Sequence, residues 1–198
     1  MGRTKEFDEA SVLKKMMLTF WQNGFANTSI KDLENASGLS SGSLYNCYGG
    51  KDELFAAVIV HYMNCVVDPR MDACLRSKDA LDGLKTYLRE TMEPGNKSRY
   101  LGCLIMNAHL NARQLPTSAR NLINRCQRQI DQTIENAVFR AQKDGQISQK
   151  TDSSILARQI SLMLSGRVLR REYSSGDQSA QQEFDASLAL LNDKACIF

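Results

Sequence analysis

Apolar residues recur at helical spacing along almost the whole chain, and the breaks between stripes fall at glycine, proline or short polar runs. Val12, Met16 and Phe20 form the first stripe, within Ser11–Ser29, and it ends at Gly24. A second, shorter stripe of Ile30, Leu33 and Ala36 follows Ser29 and Asp32, which stand at capping-box spacing, so a helix can start at Ser29 with its free N–H groups satisfied. Gly38 predicts the end of that helix, because glycine enters the left-handed region without a Cβ clash. Leu39 and Leu44 are spaced to fasten a turn and a third helix onto the second. Ser40, Ser41, Gly42 and Ser43 keep the start of that third helix small and polar. Asp52 and Glu53 then occupy the first turn of a further helix, the end that favours negative charge. It runs from Lys51 through His61–Val67 until Asp68-Pro69 interrupts or kinks it.

Beyond this point the pattern stays helical. Leu81, Leu84, Leu88 and Met92 make a stripe closed by Glu93-Pro94-Gly95. A segment from about Tyr100 to Leu115 stops at Pro116, and Ile123, Ile130, Ile134, Val138 and Ala141 mark a long helix that stops at Asp144-Gly145. Asp152–Tyr173 and Gln178–Leu191 supply two more, with Ser174-Ser175-Gly176 between them. The first carries a wide apolar face of Ile155, Leu156, Ile160, Met163, Leu164, Val168 and Leu169, and Phe184, Leu188 and Leu191 continue it. No run of alternating β-branched residues, internal repeat or low-complexity tract interrupts the series. The expected fold class is all-α.

Residues 28–48 have the layout of a helix-turn-helix, the two-helix unit that lays its second helix in the DNA major groove. The wider block Ser11–Ile59 resembles the N-terminal DNA-binding domain of the TetR family of transcriptional regulators. The matching positions are Phe20, Gly24-Phe25, Thr28-Ser29-Ile30, Leu33, Ala36, Gly38-Leu39-Ser40, Gly42-Ser43-Leu44-Tyr45, an aromatic at Tyr48, Lys51 and Leu54. The chain departs from that pattern at Glu34, where the family usually has alanine, at Cys47, and at Gly49-Gly50. A carboxylate at position 34 has to turn to solvent or find a partner, since burying it unpaired is costly.

The resemblance implies a three-helix DNA-binding head over residues 1–54 and a larger helical body over residues 55–198 for effector binding and dimerisation. Within that frame Tyr45 and Lys51 are expected to contact phosphates, and Thr28 to add a hydroxyl or backbone contact. Ser41, Gly42, Ser43 and Asn46 face base edges, with Ser40 and Tyr48 on the same surface. Asn46 suits bidentate readout of adenine, and serine can contact almost any base. The C-terminal helices are expected to pair two copies as a four-helix bundle, since a single recognition helix reads too few base pairs and a two-fold pair reads a palindrome. His61, Tyr62, Met63, Met106 and His109 fall where the family's pocket lies, for a small effector of unknown identity. A repressor is the default sign of regulation.

Charge modifies this picture. The chain carries a net +3. Residues 1–54 hold six cations (Arg3, Lys5, Lys14, Lys15, Lys31, Lys51) against seven acids (Glu6, Asp8, Glu9, Asp32, Glu34, Asp52, Glu53), a net of −1. That is not the basic footprint of many DNA binders, but helix N-termini and a few placed cations can hold phosphates. Arg3 and Lys5 offer a short basic arm. No apolar run approaches membrane-span length and the N-terminus has no signal-peptide core, so a cytoplasmic protein is expected, without a membrane partner. Six cysteines form no CxxC pair or cysteine–histidine cluster, so neither a metal nor a cofactor is expected.

Catalysis is not expected either. The only histidines are His61 and His109, and Cys103 with His109, six apart on one helix, would point to different faces. Two alternatives to an effector-released regulator remain. One is an architectural DNA binder without effector, against which the large helical body counts. The other is a thiol sensor at Cys103. That cysteine lies in Arg99–Asn107 near a helix start, after a Pro-Gly break and close to Lys97 and Arg99, a setting that stabilises thiolate.

Overall fold

A computed structural model of the chain describes residues 8–92 and 101–170, and every regular element among them is helical, with no strand. Helix α1 spans Glu9–Asn27, α2 Ile30–Ser37, α3 Ser41–Tyr48 and α4 Lys51–Tyr62. A π-helical turn, Met63–Val67, leads into α5, Asp68–Cys74. There follow α6 Ala80–Met92, α7 Leu104–Leu110, a 3-10 turn Ala112–Gln114, α8 Thr117–Lys143 and α9 Ser153–Arg170. The all-α expectation is met. No described helix is long and apolar enough to cross a membrane.

Two local details differ from the pattern. The helix expected across 100–115 is broken, because α7 ends at Leu110 and only a 3-10 turn precedes Pro116. The interruption expected at Asp68-Pro69 begins earlier, as the widened turn Met63–Val67. Pro69 lacks the N–H that would return to the carbonyl four residues back, and the chain adjusts in the turn before it. The expected helix Gln178–Leu191, the arm residues Arg3 and Lys5, and Lys97 and Arg99 lie outside the described residues.

The chain divides into two compact units, Met1–Val67 with Asn107–Cys126, and Asp68–Met106 with Gln127–Phe198. In the first, the expected stripe of α1 is the core face: Val12, Met16 and Phe20 are buried, and Met17 joins them. Leu33 of α2, Leu44 of α3 and Leu54, Phe55, Val58 and Ile59 of α4 complete that core. Phe20, Phe25 and Phe55 form an aromatic triad. Phe20 stacks on Phe25 with centroids 6.2 Å apart, and Phe55 meets the two edge-on at 5.0 and 5.1 Å, arrangements that suit the ring quadrupole.

In the second unit, Met71 and Leu75, Leu84 and Leu88 of α6, Ile130, Ile134, Val138 and Ala141 of α8, and Ala157 and Ile160 of α9 are buried. Polar ties lock this packing. Arg140 donates to the carbonyls of Leu75 and Ser77, the latter at 2.8 Å, closing the C-terminal end of α5. Gln142, buried, donates to the carbonyls of Ser148 and Thr151 at 2.8 and 2.7 Å and holds the connection from α8 to α9. Asp79 accepts from the backbone N–H of Asp82 at 2.9 Å and starts α6 as its cap.

Candidate nucleic-acid interface

The α2–turn–α3 unit is assembled from caps. Ser29 Oγ accepts from Asp32 N–H at 3.1 Å, and Asp32 Oδ2 accepts from Ser29 N–H at 2.8 Å, the full capping box. The Ser29 hydroxyl also donates to Asp32 Oδ2 at 2.7 Å, and that bond first, then the Ser29 N–H, holds the Asp32 carboxyl below its ordinary value. Gly38 ends α2 at φ 78, returning its N–H to Glu34 O. Ser37, buried in α2, donates its hydroxyl to Leu33 O at 2.6 Å and accepts from Leu39 N–H at 3.2 Å, which shapes the turn. Ser40 then caps α3 by accepting from Ser43 N–H at 3.2 Å. Leu44 is 1 % exposed and Leu39 half-buried, so α3 is pinned along one side only.

The opposite side of α3 carries Gly42, Tyr45, Asn46 and Cys47, all exposed, with Tyr45 at 51 %. Nothing crowds a Cβ built at Gly42, the nearest atom being Ser40 Oγ at 4.0 Å. Ser40 and Ser43 share a hydrogen bond between hydroxyls at 3.0 Å. A tyrosine hydroxyl, an asparagine amide and small polar residues on one exposed helical face can engage both phosphates and base edges.

Three of the expected contact residues are partly or fully enclosed. Thr28 is fully buried and donates its hydroxyl to Gly24 O at 2.7 Å, so that hydroxyl is not on the surface. It braces the sharp turn at Gly24, whose φ of 76 and ψ of 167 interrupt α1; this backbone region is essentially restricted to glycine. Tyr48 is half-buried with its hydroxyl enclosed and unbonded, and burial pushes that hydroxyl up to about 12. It packs rather than presenting its oxygen. Lys51 is half-buried with its ammonium 4.4 Å from the centre of the Phe25 ring, a cation–π contact, and burial lowers its proton affinity. Its charge therefore sits over the aromatic triad at the start of α4.

The pattern of residues did not identify the partner of Glu34. Its carboxylate accepts from the backbone N–H of Ser41, the first residue of α3, and from Lys31 Nζ at 3.1 Å. The available signal was the position of an acid one turn before the Gly38 cap, within reach of the next helix start.

The expected effector contacts scatter in character. Tyr62 is buried edge-on to Trp21, with centroids 5.1 Å apart, and Met63 is buried. His61 is half-buried with Nδ1 3.7 Å from Cys65 Sγ, one turn along the chain. Met106 and His109 are half-buried, and His109 Nδ1 is enclosed without a hydrogen bond. A cavity of about 300 Å³ in the second unit is lined by Leu75, Arg76, Thr133, Asn136 and Arg140, none of them among those residues. Cys103 is half-exposed directly ahead of α7, behind Gly102 at φ 76, whereas Cys74 and Cys126 are buried.

Comparison with known proteins agrees with this architecture. Residues 17–58 match bacterial regulatory proteins of the tetR family, and residues 80–187 match the tetracyclin repressor-like C-terminal domain. The chain is 26 % identical over 198 residues to YezE of Bacillus subtilis, an uncharacterised HTH-type transcriptional regulator, covering 97 % of this chain and 100 % of that protein. It is 26 % identical over 194 residues to the HTH-type transcriptional repressor ComR of Escherichia coli, covering 96 % and 91 %. Among solved structures, a cysteine-substituted form of the regulator CifR, in complex with 26-base-pair operator DNA, superposes with a TM-score of 0.82 at 23 % identity, covering 94 % of this chain and 98 % of that one.

Proposed function

We propose that this chain, which belongs to the TetR family of bacterial regulatory proteins, is a cytoplasmic repressor that binds a palindromic operator as a homodimer and is released by a small effector. It is a DNA-binding transcriptional regulator. The observation that carries the finer reading is the exposed face of α3, on which Gly42, Tyr45 and Asn46 stand free on a helix anchored from behind by Leu44. ComR, one of its relatives, is named a repressor. Residues 1–54 read DNA and residues 55–198 bind the effector and dimerise. Ile155 and Leu162 of α9, seven residues apart and 47 % and 69 % exposed, support pairing through the C-terminal helices.

Selection from a random duplex library at low salt tests the proposal. A two-fold symmetric site is expected, with Tyr45→Phe weakening binding to all sequences and Asn46→Ala chiefly relaxing base preference, by about 1–3 kcal/mol at the affected position. Recovery of no palindrome, or a monomer by light scattering at micromolar concentration, refutes it.

A second reading places a thiol switch at Cys103, favoured by its half-exposed position directly ahead of α7. Cys47, exposed on α3, competes for that role. An alkylating agent that releases DNA from the native protein but not from Cys103→Ser supports the switch. An equal response from Cys103→Ser, lost instead in Cys47→Ser, moves the chemistry to the recognition helix.

A further inference from the structure

The start of α3 is the natural seat for a DNA phosphate, because free N–H groups and the helix dipole converge there. In this chain that end is already occupied from within. Ser43 N–H is taken by Ser40 Oγ, and Ser41 N–H by the carboxylate of Glu34. The same carboxylate binds Lys31, whose side chain is 75 % exposed and is the one cation of α2. Glu34 itself is 18 % exposed, so it lies at the surface yet is held on two sides.

Each of these contacts removes something that non-specific DNA binding uses. The Ser41 N–H cannot turn to a phosphate while it serves Glu34, and Lys31 meets an incoming phosphate with its charge already paired. A fixed negative charge also stands where the backbone of the duplex would approach. The Lys31 ammonium, then the Ser41 N–H, hold the Glu34 carboxyl below its usual range, which keeps it ionised at neutral pH. The net −1 over residues 1–54 extends this economy of positive charge to the whole head.

We propose that Glu34 acts as an internal anion: it fills the phosphate seat at the start of the recognition helix, ties α3 to α2, and holds down the sequence-independent, backbone share of DNA binding. It is a positioning residue rather than a base contact. The inference rests on α3 being the DNA-reading helix. A smaller share of the binding energy then comes from the backbone, and a larger share from the base edges faced by Gly42 and Asn46.

The test is a binding titration of the full-length protein against a random duplex and against its selected site, at several salt concentrations. Glu34→Gln keeps the shape and an acceptor for Ser41 but removes the charge and frees Lys31. Affinity for the random duplex should rise, by about eightfold at 0.1 M salt if one phosphate contact is gained, and the slope of log affinity on log salt should steepen by about 0.9. Affinity for the selected site should rise by a similar factor, since a phosphate contact carries no sequence information. Lys31→Gln should change little in the native background and cancel most of the gain in the Glu34→Gln background, a coupling that a merely structural role would not produce. If the native protein selects its site while Glu34→Gln leaves slope and random-duplex affinity unchanged, the role assigned to Glu34 is overturned and the operator reading stands. A native protein that selects no site overturns both.

Discussion

Gly83 is where the second unit is most sensitive to a single carbon. A Cβ placed on it would lie 2.1 Å from the carbonyl oxygen of Cys74, 2.4 Å from Ser77 Oγ and 3.2 Å from the Cys74 carbonyl carbon. Ser77 could rotate away, at the cost of its 2.6 Å bond to Asp79 O. The Cys74 carbonyl cannot, because it belongs to the last turn of α5 and accepts from Ser77 N–H at 3.2 Å. To restore an ordinary carbon–oxygen contact of about 3.2 Å, α6 must move away from the end of α5 by roughly 1 Å, a gap that forfeits a quarter to a half of the dispersion energy across the contact. Leu84 and Leu88 of α6 are fully buried, so the loss spreads through the core. Overpacking of this kind costs about 1–3 kcal/mol and occasionally more. Since a backbone atom opposes the new carbon, the upper part of that range applies, and the gain of about 1 kcal/mol from replacing a helical glycine by alanine offsets it only partly. Gly83→Ala should therefore lose about 2 kcal/mol of stability. Urea unfolding followed by circular dichroism measures the loss from the midpoint and the slope. A loss below about 0.5 kcal/mol, within the ordinary range for surface changes, would refute the close seating of α6 on α5.

Three further outcomes follow from the same packing. Gly42→Ala meets no protein atom closer than 4.0 Å, so it should stabilise the fold by up to about 1 kcal/mol while weakening operator binding; unchanged affinity in a gel-shift titration would remove Gly42 from the DNA surface. Arg140→Met strands the carbonyls of Leu75 and Ser77 and should cost about 1–3 kcal/mol, with Arg140→Lys recovering only part because it lacks the planar fork; denaturant midpoints of the three proteins check the order. Asp32 has its proton affinity depressed in the fold by the Ser29 hydroxyl and N–H, so its contribution is present above the unfolded carboxyl value of about 3.9 and is lost as pH falls through the lower folded value. The stability gap between native and Asp32→Asn proteins should narrow from about pH 6 to about pH 3, and a constant gap argues against the capping role.

What the sequence disclosed well was whatever depends on neighbours a few residues apart. The Ser29–Asp32 box, the Gly38 stop, the stripe of α1 and the stop of α8 before Gly145 are all local, and each stands where the spacing placed it. Properties set across elements were not legible. Thr28 read as a hydroxyl or backbone contact, and the backbone reversal at Gly24 folds its hydroxyl inward. Lys51 read as a phosphate contact, and no spacing showed that Phe25, far back in the chain, lies under its ammonium. Glu34 was visible as an oddity whose partner lay seven residues on, across a turn whose geometry no periodicity describes. Nor did any stripe mark the groove beside Arg140, since its lining comes from the end of α5 and from α8.

The edge-on pair of Trp21 and Tyr62 has an optical consequence. Trp21 is the only tryptophan in the chain, and it belongs to the first unit. Indole emission is thus a private channel for the packing of α1 against α4, and events confined to the second unit leave no tryptophan signal. Far-ultraviolet circular dichroism, by contrast, sums every helix. Recorded together on one unlabelled sample, the two signals report whether the units melt as one cooperative block, with coincident curves, or in sequence. For Gly83→Ala and Arg140→Met, both in the second unit, an ellipticity transition that precedes the emission transition would locate the damage without a single added probe.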